Sequence, residues 1–136
     1  MAIPEGRKIL IVDDFETIRQ AVRSTLDELA LNGEYFDAGT VAEAKDILMQ
    51  QNEGGNPIEF IICDWNMPGG NGIELLKWVK KFDAFKAIPF MLLTTENESG
   101  KVLQAIEAGV DNYCIKPWNA PDFLKRINSC WDKHHK

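Results

Sequence analysis

Five short apolar runs alternate with stretches of helical periodicity along this chain, and that alternation leaves few folds open. Lys8-Ile9-Leu10-Ile11-Val12 stops at Asp13-Asp14, and a weaker run, Glu34-Tyr35-Phe36-Asp37, follows. Phe60-Ile61-Ile62-Cys63 stops at Asp64, Ile88-Pro89-Phe90-Met91-Leu92-Leu93 at Thr94-Thr95, and Asn112-Tyr113-Cys114-Ile115 at Lys116-Pro117. Runs of this length, rich in β-branched residues and bounded by turn formers, read as buried strands. Between them the period changes. Ile18, Val22, Leu26 and Leu29 share one helical face, and Thr40-Val41-Ala42-Glu43 is a capping box opening a helix with Val41, Ala44 and Ile47/Leu48 inward. Ile73, Leu76 and Val79 mark a third helix ending near Phe82, and Val102, Ala105 and Ile106 a fourth, stopped by Gly109 in a left-handed cap. Asn119 caps a fifth, with Pro121 in its first turn and Phe123, Leu124, Ile127, Cys130 and Trp131 as its stripe.

Strict strand–helix alternation implies parallel strands joined by right-handed crossovers, with helices on both faces. The expected fold is therefore α/β, a doubly wound five-stranded parallel sheet with five helices. Parallel strands put all their carboxyl ends on one edge, where ligands bind in such sheets. Asp64 alone could be no more than a turn cap. The other strands, however, deliver Asp13, Asp14, Thr94 and Lys116 to the same edge, and that convergence makes a site the better reading.

Two unit charges about 4 Å apart repel by roughly 4 kcal/mol at an effective dielectric of 20, so three carboxylates together call for a cation beyond Lys116. An all-oxygen donor set suits a hard divalent ion, and Mg²⁺ typically combines one or two carboxylates with phosphate oxygens. The chemistry this suggests is phosphoryl transfer to a carboxylate, with Lys116 and the Thr94 hydroxyl on the oxygens where charge gathers. Asp13 and Asp14, adjacent at a strand end, suit metal holding; Asp64, alone before a glycine-rich loop, is assigned as the nucleophile.

The 136 residues, 45% hydrophobic, suffice for one domain with a real core. We expect a single domain over 6–133 and a tail over 134–136. A formal charge of −6, with no basic cluster longer than Lys80-Lys81 or Lys125-Arg126, argues against nucleic acid as partner. No apolar leader or bilayer-length run is present, so a cytoplasmic protein without membrane insertion is expected. Cys63, Cys114 and Cys130 are scattered, with no paired spacing for a disulfide framework or zinc. His134 and His135 read as a solvated, frayed tail, and Trp65 as a partly exposed ring that could report metal binding. Phe15 reads as packing near the site. Trp118 reads either as an exposed anchor or as a lid on the sheet edge.

Asp13-Asp14, the run Asp64-Trp65-Asn66-Met67-Pro68 with Gly72 beyond it, Thr94 and Lys116-Pro117 together resemble the receiver domain of two-component response regulators. The match covers Lys8 to about Trp131 and is nearest the single-domain chemotaxis regulators of the CheY type. The resemblance implies a flavodoxin-like strand order of 2-1-3-4-5. It also implies that Asp64 is the phosphoacceptor for a histidine kinase. Mg²⁺ would be held by Asp14, Asp64 and the Asn66 backbone carbonyl, with Asp13 acting chiefly through water. Lys116, before a cis Lys116-Pro117 bond, would contact the phosphoryl group, Thr94 would swing towards it, and Tyr113, otherwise plain core, would follow as the switch aromatic. Asn66 and Glu96 would tune dephosphorylation. The implied protein is a monomer, open to a phosphatase, that catalyses its own phosphorylation and dephosphorylation without being a turnover enzyme. Its output partner, such as a flagellar motor switch, would dock on the face of the fourth helix, fifth strand and fifth helix.

The chain also departs from that pattern. Gly69-Gly70-Asn71 replaces a polar-Met-Asp triplet, Thr40-Val41 stands for an Asp-Gly before the second helix, Thr95 replaces a common Ala, and the Asn52–Pro57 loop looks longer. These weaken the motor assignment more than the receiver assignment, leaving a phosphate sink or relay as the alternative. A Mg²⁺-dependent phosphohydrolase of the haloacid-dehalogenase type would carry Asp-x-Asp on strand one, which is absent. A flavodoxin-type flavin module would not put two acids where its phosphate binds.

Overall fold

The computed structural model describes residues 2–65, 67, 71–95 and 99–135. Its strands are β1 (Lys8–Val12), β2 (Glu34–Ala38), β3 (Phe60–Asp64), β4 (Phe90–Thr94) and β5 (Asn112–Ile115). They alternate with α1 (Glu16–Glu28), α2 (Val41–Glu53), α3 (Gly72–Lys81), α4 (Ser99–Glu107) and α5 (Ala120–His134). The strands form one all-parallel sheet, as the alternation implied, in the order β2-β1-β3-β4-β5 expected from the family resemblance. None of the described helices is long and apolar enough to cross a membrane.

Because successive side chains of a strand point to opposite faces, each central strand feeds two cores. Ile9, Ile11, Phe60, Ile62, Met91 and Leu93 pack under α1 and α5 with Val22, Leu26, Phe123 and Ile127. Leu10, Val12, Ile61, Cys63, Phe90 and Leu92 pack on the other face with Ala44, Leu48, Leu75, Leu76 and Val79. Strands β3 and β4 are buried at every residue, which is why they read as unbroken apolar runs. Edge strand β2 is buried only at Ala38, which explains its weak signal.

Caps formed where sequence placed them. Thr40 accepts the Glu43 amide at 3.1 Å and Asn119 that of Asp122 at 2.8 Å; Asn71, which the sequence reading did not single out, accepts that of Glu74 at 3.1 Å. The return arm of the Thr40 box differs: Glu43 takes the Gly39 amide at 3.0 Å, one residue ahead of the cap. Gly109, at φ +96°, ends the α4 segment in the left-handed region.

Four expectations are corrected. Helix α2 runs through Glu53, shortening the loop read from Asn52, and Ile106 points outward at 56% exposure while Ala105 carries the buried side of α4. The run read from Ile88 pairs as a strand only from Phe90. The frayed tail is docked: His134 Nε2 lies 2.9 Å from Asp111 Oδ1, and the His135 ring stacks on Trp131 at 3.7 Å. Buried Asp111 draws the histidine in, since its other oxygen accepts the Phe90 amide at 2.8 Å and its carbonyl accepts from Lys133.

Gly72 opens α3 directly beneath the end of β3. A Cβ there would sit 2.5 Å from the Asp64 carbonyl oxygen and 2.9 Å from Leu92 Cδ2, and the backbone atom cannot swing aside. Gly72→Ala is expected to cost about 1–3 kcal/mol of overpacking strain, read as a lowered urea midpoint. A midpoint equal to that of the parent would show that α3 shifts freely.

Candidate functional site

The register that builds the sheet also levels its strand ends. Val12 lies beside Cys63, Asp64 beside Leu93 and Thr94 beside Ile115, so the residues one step further meet in one layer. Backbone bonds extend that layer past the strands: Asp13 N–H to Ala38 O at 3.0 Å, Trp65 N–H to Leu93 O at 3.0 Å, and Lys116 N–H to Thr94 O at 2.7 Å.

Carboxylate oxygens of Asp13, Asp14 and Asp64 all lie within 4.8 Å of one another. Lys116 Nζ stands 2.5 Å from Asp64 Oδ1 and 3.8 Å from Asp13 Oδ2. Thr94, 3% exposed, ends the strand between those bearing Asp64 and Lys116. The five side chains expected to converge therefore come from one strand-end layer, and Asp13 and Asp64 are buried within it. Asp13 also does the turn-capping work considered for Asp64: its Oδ1 accepts the Phe15 amide at 2.9 Å, at the entry to α1.

One ammonium does not balance three acids, and the carboxyls register the imbalance. Burial, assisted by the Asp64 and Asp14 charges against the Phe15 amide and Lys116, pushes Asp13 up to about 6. Burial also raises Asp64, opposed by the hydrogen bond and charge of Lys116. Asp13 Oδ2 and Asp14 Oδ1 are buried without a hydrogen-bond donor among the described residues. Two orphaned hard oxygens beside a third carboxylate are what a divalent cation would satisfy, so the donor set fits Mg²⁺. Cys63 takes no part. Its thiol donates to the Asp64 carbonyl at 3.2 Å and is held protonated by burial and the neighbouring acids.

Asn66 and Glu96 lie outside the described residues. Tyr113 is half-buried against the α2–α3 core, with the Arg126 guanidinium 5.2 Å from its ring centre. Three neighbours depart from expectation. Trp65 is buried at 3% exposure, its ring in the core with Ile73 and Leu76 and its carbonyl accepting the Gly72 amide at 2.8 Å. Phe15 stands out at 62% exposure instead of packing near the acids. Trp118 is neither anchor nor lid: its ring tilts on Phe123 and its indole N–H donates to Thr25 Oγ1 at 2.9 Å.

Sequence reasoning missed Arg19. Its Nη1 donates to the Asp13 carbonyl at 2.5 Å and its Nε lies 3.6 Å from Asp37, so it ties the ends of β1 and β2 together. A cation one position from Ile18, near the apolar face of α1, was the available signal. Beside the acids a cleft of about 420 Å³ opens between α1 and the loop after β5, lined by Ile18, Ala21, Thr25, Lys116, Pro117 and Trp118.

Comparison with known proteins gives a consistent result. The model of the response regulator receiver domain matches residues 9–128. The chemotaxis protein CheY of Pseudomonas aeruginosa is 35% identical over 93% of this chain and 97% of its own. The CheY homolog of Campylobacter jejuni is 36% identical over 87% and 86%. Among solved structures, chemotaxis protein CheY4 of Vibrio cholerae superposes with a TM-score of 0.75 at 32% identity, covering 90% and 96%. A response regulator receiver domain protein of Clostridium thermocellum gives 0.79 at 28%, covering 93% and 95%.

The raised Asp13 carboxyl sets a pH dependence. The folded protein holds this proton more tightly than the unfolded chain does, so the resulting stability is fully present below the ordinary value of 3.8 and is lost as pH rises through about 6. In chelator-treated protein the Asp13→Asn variant is expected to gain on the parent by up to about 3 kcal/mol between pH 4 and pH 7, measured by urea unfolding. A difference that is flat with pH would refute it.

Proposed function

We propose that this chain, which belongs to the response regulator receiver domain family, is a phosphorylation switch in two-component signalling. The observation that carries the reading is the Asp64 carboxylate, 2.5 Å from Lys116 and clustered with Asp13 and Asp14 at the carboxyl edge of the sheet. An Asp64 oxygen attacks the phosphorus of a phosphohistidine on a kinase. The phosphorus–nitrogen bond breaks, and its electron pair stays on the imidazole ring. Lys116 exchanges its contact with Asp64 for a phosphoryl oxygen, and the Thr94 hydroxyl takes another, so charge on the transferring group is met in a buried setting.

Asp14, Asp64 and the Asn66 carbonyl would hold Mg²⁺, with Asp13 reaching it chiefly through water. When bound, the ion supplies the positive charge that the acids lack and draws electron density from the phosphoryl group. Hydrolysis of the aspartyl phosphate by water returns the protein to its starting state, at a rate set by Asn66 and Glu96. Placing Thr94 on the phosphoryl group frees space for Tyr113 to follow. The α4–β5–α5 face then changes, and with it the affinity for an output partner.

The named relatives are chemotaxis proteins, which favours motor control as the output; a phosphate sink or relay is the alternative within the same mechanism. The protein acts as a monomer in the cytoplasm, where its kinase presents the phosphohistidine. A phosphatase would shorten the signal.

Incubation with phosphoramidate and Mg²⁺ is expected to add one base-labile phosphoryl group, seen by intact-mass measurement and abolished by chelator and by Asp64→Asn. Lys116→Met is expected to slow the transfer on the order of 100-fold. No mass gain in the parent, or a gain that persists in Asp64→Asn, would overturn the assignment.

A further inference from the structure

We infer that Trp118 is a positioning residue for Lys116, tying the loop that carries the ammonium to α1 through Thr25. The inference rests on the phosphoacceptor reading above and deepens it. Lys116 follows the last residue of β5, and on the sheet side its amide is held by the Thr94 carbonyl at 2.7 Å. On the other side the chain does not pack tightly against α1, because the cleft of about 420 Å³ separates Ile18 and Ala21 from Lys116 and Pro117. Trp118 crosses that gap. Its indole N–H donates to Thr25 Oγ1 at 2.9 Å, and its ring rests on Phe123 at 5.2 Å between centres.

The acceptor is itself fixed. The Thr25 hydroxyl donates to the Ala21 carbonyl at 3.0 Å one turn back, which aims an oxygen lone pair at the indole. Two residues beyond Trp118, α5 begins at Ala120 under the Asn119 cap, so the loop has little slack. A long, flexible lysine side chain placed 2.5 Å from Asp64 and 3.8 Å from Asp13 depends on where its backbone is held. With the indole bond cut, the Lys116 backbone is free to drift towards the cleft, and the ammonium meets the phosphoryl oxygens less often.

The test uses full-length protein, phosphoramidate and Mg²⁺. Trp118→Phe keeps an aromatic ring on Phe123 and removes the donor, Thr25→Val removes the acceptor at nearly constant shape, and Thr25→Ser restores a hydroxyl. The first two are each expected to lower the phosphorylation rate constant at saturating phosphodonor on the order of tenfold, below the roughly 100-fold that a misplacement of about 1 Å can cost. Thr25→Ser should match the parent, and the double variant Trp118→Phe/Thr25→Val should be no slower than either single change. Mg²⁺ affinity should stay at the parental value, because the acids are not held by this link. Parental rates in both single variants, equal losses in Thr25→Ser and Thr25→Val, or additive losses would overturn the positioning role while leaving Asp64 as phosphoacceptor. A parent that takes up no phosphoryl group would remove the underlying reading and this inference with it.

Discussion

An excess of negative charge that the fold itself does not neutralise governs this molecule. Among the described residues, three carboxylates share this edge with one ammonium, and two of their oxygens lack a donor. Isolated, such a cluster costs stability, because a buried charge without a partner is held against its hydration. On the proposed reading, the same deficit makes the edge receptive to a cation and to a phosphoryl group carried with it. Lys116 lies on Asp64, where, on that reading, transferred oxygens would need a counter-charge.

The surrounding structure reads as the framework that keeps this arrangement from relaxing. Strands β1, β3 and β4 are locked between two apolar layers, so the acids cannot move apart without disturbing both cores. Gly72 lets α3 close against the Asp64 backbone, and Arg19 holds the carbonyl of Asp13. On the far side of the sheet, Asp111 gathers the Phe90 amide, Lys133 and His134, fixing the start of β4 to the end of α5. Rigid elements thus flank a site whose own charges are in conflict, a common division of labour between scaffold and function.

Much of this was legible in the sequence, for a physical reason. Strands buried on both faces must be apolar throughout, so Phe60–Asp64 and Phe90–Thr94 announce themselves, and the first polar residue after each marks the functional edge. Periodicity also found the inner faces of α2, α3 and α5. It failed where a side chain's fate depends on a partner distant in the chain. Trp65 is drawn into the core beside α3, Trp118 is claimed by Thr25, and His134 is claimed by Asp111. Ile106 kept a helical period yet faces outward, because a short helix needs only one buried row.

The two-layer packing of β3 carries an implication for how such a chain can vary. Phe60 and Ile62 enter one layer, and Ile61 and Cys63 the other. Removing any single residue from this strand would exchange the layers of every position on one side of the gap and turn the terminal acid away from its neighbours. Insertions and deletions are therefore tolerable in the connections at the opposite rim but not within the strands. Evolution can lengthen those connections freely while the distance from core to carboxylate stays fixed at a whole number of residues.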